Sequence, residues 1–85
     1  MKISVTRRFA KGFSSLPNKI KAKAISLESV FRKNPFDGRL KTHKLAGKNR
    51  EAWAFSIDYS HRTVFIFLAD KAVLFLDIGN HEIHR

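Results

Sequence analysis

Apolar residues recur along this chain of 85 residues with two different spacings, and the change falls near residue 39. Residues 2–6 alternate apolar and polar, which predicts a short first strand. Thr6 is placed to cap a helix over about 7–15, with Phe9, Phe13 and Leu16 along one side. Leu16-Pro17 marks a break, and Pro17 suits the first turn of a second helix. In that helix Ile20, Ala24, Leu27 and Phe31 recur at helical spacing, so one face is apolar. Asn34-Pro35 ends it and Asp37-Gly38 makes a turn. Two helices joined at Pro17 form a hairpin whose apolar stripe needs a sheet to cover it.

From residue 39 the pattern alternates. Residues 39–45 read as a polar strand near a sheet edge, 46–49 as a loop, and 51–58, 62–69 and 72–80 as three strands. A two-residue loop at Asp70-Lys71 sets Leu68 opposite Val73, Ile66 opposite Phe75, Val64 opposite Asp77 and Arg62 opposite Gly79. A turn at Tyr59-Ser60-His61 sets Asp58 opposite Arg62. One face then collects Trp53, Phe55, Ile57, Phe65, Phe67, Leu74, Leu76 and Ile78 as the core. The other carries Ala52, Ala54, Ser56, Val64, Ile66 and Phe75. The expected architecture is one α+β domain over 1–85: an N-terminal strand and a two-helix hairpin packed on a mainly antiparallel sheet of four to five strands. At one end of the sheet Asp58, Arg62 and Asp77 gather, with Gly79 and His81 in line. Arg62 and His81 are diagonal neighbours there, about 7–8 Å apart and within reach of one phosphate.

Charge adds a second layer. Lys and Arg number 17 against 7 Asp and Glu, a net of +10. The excess is lopsided: residues 1–50 hold 14 basic and 2 acidic residues, residues 51–85 hold 3 basic and 5 acidic. This exceeds what solubility requires and points to a polyanion, although an acidic protein partner would satisfy the same charge. There is no cysteine, so disulfides and thiolate zinc sites are excluded. No run of about 18 apolar residues is present to span a membrane, and Met1–Arg8 lacks the apolar stretch of a signal peptide. A cytoplasmic location is therefore expected.

RNA cleavage without a metal needs a base for the ribose 2′-hydroxyl, a cation for the phosphorane and an acid for the departing 5′-oxygen. Histidine titrates near neutrality and suits the proton transfers. Arginine donates two parallel hydrogen bonds and keeps its charge, which suits the phosphate. The candidates are Arg62, His81, His84, His43, Lys41, Lys44 and the Asp58/Asp77 pair. Each has a plainer reading. Arg62 pairs equally well with Asp58, His81 serves as a polar strand end, and His43 among lysines is ordinary surface. His61 in a turn is read as exposed and idle, and Arg7 and Arg8 as solvated. Trp53 is read as core, which leaves Tyr59 as the better stacking residue. His81 and His84 lack a third metal ligand close in sequence. No phosphate-cradling glycine loop or dinucleotide fingerprint is present.

Taken in order, several stretches resemble the RelE/ParE toxin superfamily. Asn34-Pro35-Phe36 with Leu40-Lys41-Thr42-His43-Lys44-Leu45-Ala46-Gly47 resembles the segment that joins helices to sheet in those toxins. Trp53-Ala54-Phe55-Ser56-Ile57 resembles their next strand and Arg62-Thr63-Val64-Phe65 their arginine-led strand. Leu76-Asp77-Ile78-Gly79-Asn80-His81 resembles the closing strand with its Gly-x-His ending. The resemblance covers essentially the whole chain.

It implies a RelE-like fold and a toxin encoded beside an antitoxin. In the YafQ-like and YoeB-like branches it implies a ribonuclease that cuts mRNA at the ribosome, with no metal or other cofactor. On these grounds Arg62 matches the phosphate-binding arginine, His81 the general acid, and His43 a histidine that takes part in proton transfer. Lys41, Lys44, Arg39, Lys48 and His84 become the expected RNA contacts. Two positions depart from the pattern. His84 stands about where the family usually has an aromatic residue, and Phe55 or Ser56 where the YafQ-like branch has a second histidine. The alternatives are a ParE-like gyrase inhibitor, which needs no catalytic histidine, and a degenerate member that only binds RNA or antitoxin.

Overall fold

The computed structural model of the chain describes residues 1–46 and 51–80. Strand β1 (Lys2–Val5) leads into helix α1 (Arg7–Ser14) and helix α2 (Asn18–Lys33). A 3-10 turn (Gly38–Leu40) then precedes β2 (His43–Lys44), β3 (Trp53–Ser56), β4 (His61–Ala69) and β5 (Ala72–Asn80). The five strands form one sheet in the order β1-β5-β4-β3-β2. Only β1 with β5 is parallel; the other pairs are antiparallel. This is the expected α+β architecture, with the sheet at five strands.

The local signals act as their chemistry dictates. Thr6 caps α1 by accepting the Phe9 N–H at 3.0 Å, and its hydroxyl donates to the Leu76 carbonyl at 2.7 Å. One side chain thus starts the helix and ties it to a strand 70 residues away. Pro17 stands at the N-cap of α2 and Asn34, in extended conformation, at its C-cap. The stripe of α2 supplies Ala24 and Phe31 to the core. Phe31 is fully buried, with its ring 5.0–5.4 Å from those of Phe55, Phe65 and Phe75. Edge-to-face and offset contacts of this kind add to the burial of the rings themselves.

Four expectations about the sheet are corrected. Residues 39–45 are not a strand: Gly38–Leu40 is a 3-10 turn, and only His43 and Lys44 pair. Leu40 is turned wholly into the core, at 0% exposure, which an edge strand would not achieve. Lys41 closes that turn in the left-handed region, at φ 52°. Thr42 then anchors the exit by donating to the Pro35 carbonyl.

The second correction concerns β5. Arg62 faces Gly79 and Val64 faces Asp77, as expected, but Phe65 faces Phe75, leaving Leu76 as an extra residue. A matching irregularity at Leu68 restores the register before the Asp70-Lys71 turn. Such bulges invert which residues share a face. Val73 and Phe75 therefore enter the core beside Ile78, which lies there as expected, while Leu74 and Leu76 are only half-buried on or beside the other side. Third, Arg62 faces Ser56 rather than Asp58. The shift is two positions, so Arg62 keeps its face.

Fourth, Phe67 does not complete the core. It is 41% exposed, stacks on Phe36 at 6.0 Å and meets Trp53 edge-on at 5.8 Å. Trp53 is half-buried against the core margin.

Candidate functional site

The helices cover one face of the sheet, where Phe55, Phe65, Phe75 and Ile78 point. Pairing fixes what stands on the opposite face. One row across the strands is His43, Ala54, Val64 and Asp77; the next is Ser56, Arg62 and Gly79. His43 and Arg62 thus share the face opposite the helix-packed core, with the buried Ala54 and Val64 between them. Two strand spacings and two residue steps separate them, about 12 Å between backbones. Gly79 gives Arg62 a neighbour without a side chain, and Arg62 itself is half-buried.

His43 is exposed, and its Nδ1 lies 3.0 Å from the Lys41 carbonyl. A carbonyl only accepts, so Nδ1 carries the proton, and in the neutral ring Nε2 carries the lone pair. Lys41 makes this bond possible by its left-handed backbone, a conformation with a cost for a non-glycine residue. The ring is oriented by one backbone atom and turns Nε2 away from it.

The turn from β3 to β4 is built on Asp58. Its Oδ1 accepts from the backbone N–H of Ser60 and of His61, each at 2.8 Å, and lies 3.0 Å from His61 Nδ1. Partial burial raises the Asp58 pKa, but these hydrogen bonds outweigh it and hold the carboxyl below its ordinary value. His61 is therefore neither exposed nor idle: it is partly buried, opens β4 and braces the turn.

Other cations fall elsewhere. Arg39 is held in a two-pronged ion pair by Asp37, with both contacts at 3.0 Å. The guanidinium draws the Asp37 carboxyl down to about 2. Lys44 points to the helix-covered side, 6.0 Å from the Trp53 ring centre, and not toward Arg62. Asp77 forms an ion pair with Arg8 at 2.9 Å rather than joining a cluster with Asp58. Arg8, though largely exposed, thus reaches β5 through Asp77. His81, His84 and Lys48 lie outside the described residues.

A groove of about 410 Å³ opens where this face meets the end of the sheet. Its walls are Lys23 from α2, Arg39 and Lys41 from the 3-10 turn, and Ser56, Ile57, Asp58 and Tyr59 from the β3–β4 turn. Lys23 has no sequence signal of its own beyond a basic helix; only the packing of α2 against the sheet end brings it to Lys41.

No family model matches the sequence, and no curated protein sequence does either. Solved structures do match the fold. A YoeB/ParE toxin from Agrobacterium tumefaciens superposes with a TM-score of 0.81 at 20% identity, over 95% of this chain and 99% of that one. YafQ from E. coli gives 0.77 at 19% identity, over 94% and 92%. The archaeal RelE of a RelE–RelB complex from Pyrococcus horikoshii gives 0.76 at 14% identity, over 96% of each chain. The sequence is far from all three, yet each superposes over nearly the whole of both chains. The chain has the fold of the RelE/ParE toxin superfamily.

Proposed function

We propose that this chain is the toxin of a toxin–antitoxin pair and a metal-independent endoribonuclease that cuts mRNA at the ribosome in the cytoplasm. The observation that carries the reading is His43 and Arg62 on one sheet face, the first with Nδ1 turned to a backbone carbonyl and Nε2 left for substrate, the second a permanent cation. The neutral His43 ring takes the proton of the ribose 2′-hydroxyl. The 2′-oxygen then forms a bond to phosphorus as the bond to the 5′-oxygen breaks. Arg62 stabilises the charge on the non-bridging oxygens between those events. His81, by its resemblance to the family's terminal histidine, protonates the departing 5′-oxygen, leaving a 2′,3′-cyclic phosphate. Lys41, Arg39, Lys48 and His84 are the RNA contacts of this reading, Lys44 being turned to the helix-covered side, and the basic first half steers the protein to ribosomal RNA.

An antitoxin partner fits the same picture. The RelE and YafQ neighbours, and a YoeB from Staphylococcus aureus, occur in complexes with RelB, DinJ and YefM. Inducible expression with mapping of transcript 5′ ends tests the reading. Wild type should produce new cuts within reading frames. Arg62→Ala should lower cutting by about 10²–10³-fold, the usual loss for one transition-state donor. His43→Ala and His81→Ala should lower it as well. Growth arrest with DNA damage and no new 5′ ends would replace this reading with gyrase inhibition.

A further inference from the structure

We propose that the groove between α2 and the β3–β4 turn is a second nucleotide site. In it Tyr59 stacks on a base, and Lys23 and Lys41 hold the phosphates of single-stranded RNA running off the face that bears Arg62. The proposal rests on the ribonuclease reading and extends it to the flanking substrate. Three cations from separate elements converge on the groove: Lys23, Arg39 and Lys41. The local carboxylates are already engaged, Asp58 by His61 and two backbone N–H groups, Asp37 by Arg39. Among the described residues neither Lys23 nor Lys41 has a carboxylate partner. The field of the groove is therefore positive, and an anionic ligand complements it.

Tyr59 supplies the second element. It is 95% exposed, so its ring contributes no burial to folding. The turn that carries it is nonetheless fixed, by the Asp58 bonds and by the Ile57 N–H donating to the His61 carbonyl at 2.9 Å. A ring presented on an ordered turn loses little entropy when a base stacks on it. A protein segment would instead seek an apolar pocket. The one aliphatic side chain in the groove, Ile57, is already buried in the core.

The groove also connects to the face that bears Arg62. Ser56 faces Arg62 across the strands and lines the groove on its other flank. Lys41 orients His43 through its carbonyl and is itself part of the groove wall. Ser56 is thus the link between a scissile phosphate at Arg62 and the groove that ends at Tyr59.

The test is fluorescence anisotropy with an uncleavable 2′-O-methyl oligoadenylate of about a dozen nucleotides. It is combined with 5′-end mapping of the same variants in cells. Tyr59→Ala should weaken binding at least fivefold, the lower end of base–aromatic stacking, while Tyr59→Phe should bind as wild type. Lys23→Ala should lower the slope of log affinity against log salt by about 0.7, the share of one phosphate contact on a single strand. Lys11→Ala, on α1 and away from the groove, should leave the slope unchanged. Lys23 and Tyr59 are exposed, so these variants keep the fold. Wild-type binding by Tyr59→Ala and Lys23→Ala, or an equal effect of Lys11→Ala, overturns the groove site even where Arg62→Ala still abolishes cutting. Weakened binding in the groove variants without any cutting by wild type keeps the nucleotide site and overturns the ribonuclease reading instead.

Discussion

Replacing Gly12 by alanine sets two effects against each other. Gly12 lies within α1, where alanine is favoured by about 1 kcal/mol on helix propensity alone. A Cβ at this position, however, would stand 2.7 Å from the Ile78 carbonyl oxygen and 3.2 Å from Ile78 Cγ2. The closer contact is to backbone, and β5 is held on both sides by β1 and β4, so it cannot step aside as a flexible side chain could. Overpacking of this kind costs about 1–3 kcal/mol, and a backbone obstacle belongs in the upper half of that range. The net expectation for Gly12→Ala is a loss of about 1–2 kcal/mol. For a domain of this size that lowers Tm by roughly 5–15 °C. Urea unfolding at 25 °C followed by circular dichroism, with a thermal scan alongside, measures both. An alanine variant as stable as wild type, or more so, would refute the reasoning: α1 would then not be seated on β5 at this distance, and helix propensity would decide the outcome.

Three further outcomes follow from the same packing. Leu40→Ala removes a fully buried side chain and should cost about 2–5 kcal/mol in urea unfolding, a large part of the stability of a domain this small. Asp37 is depressed from 3.8 to about 2 by Arg39, so its contribution to stability is complete above pH 3.8 and is lost as pH falls through about 2. A carboxyl ¹³C titration should show the low midpoint, and the unfolding midpoints of wild type and Asp37→Asn should converge across that window. Asp58→Ala should cost about 1 kcal/mol and speed amide exchange at Ser60 and His61, whose N–H groups lose their acceptor.

Much of this fold was legible because its signals are local. Thr6 before an apolar-periodic stretch, the stripe Ile20–Ala24–Leu27–Phe31 and the Asp70-Lys71 turn each specify their element through a few neighbouring residues. The 39–45 segment misled because its polar run between Leu40 and Leu45, five positions apart, carries no period that separates an edge strand from a 3-10 turn closed by a left-handed Lys41. The faces of β5 were hidden because Val73-Leu74-Phe75-Leu76 is apolar throughout and carries no parity. Only α1 seated against Ile78, with Thr6 bonded to the Leu76 carbonyl, marks where the bulge falls. Arg62 and His43 were singled out in the sequence, and pairing sets both on one sheet face. The ion pairs Arg8–Asp77 and Arg39–Asp37, and the approach of Lys23 to Lys41, depend on the angles between elements, which no single stretch encodes.

The place of β1 in the sheet bears on how the chain is made. Lys2–Val5 pairs with 72–75, so the earliest strand has its partner some seventy residues downstream. At translation rates of about 5–20 residues per second, β1 and the Thr6 cap wait about 4–14 s for that partner to emerge. Until then α1 and α2 have no sheet on which to lay their apolar stripe, and the rows that hold His43 and Arg62 lack β5. Synthesis interrupted before β5 therefore leaves a basic fragment without a completed sheet. The fold arrives in one step, when β5 pairs with both β4 and β1.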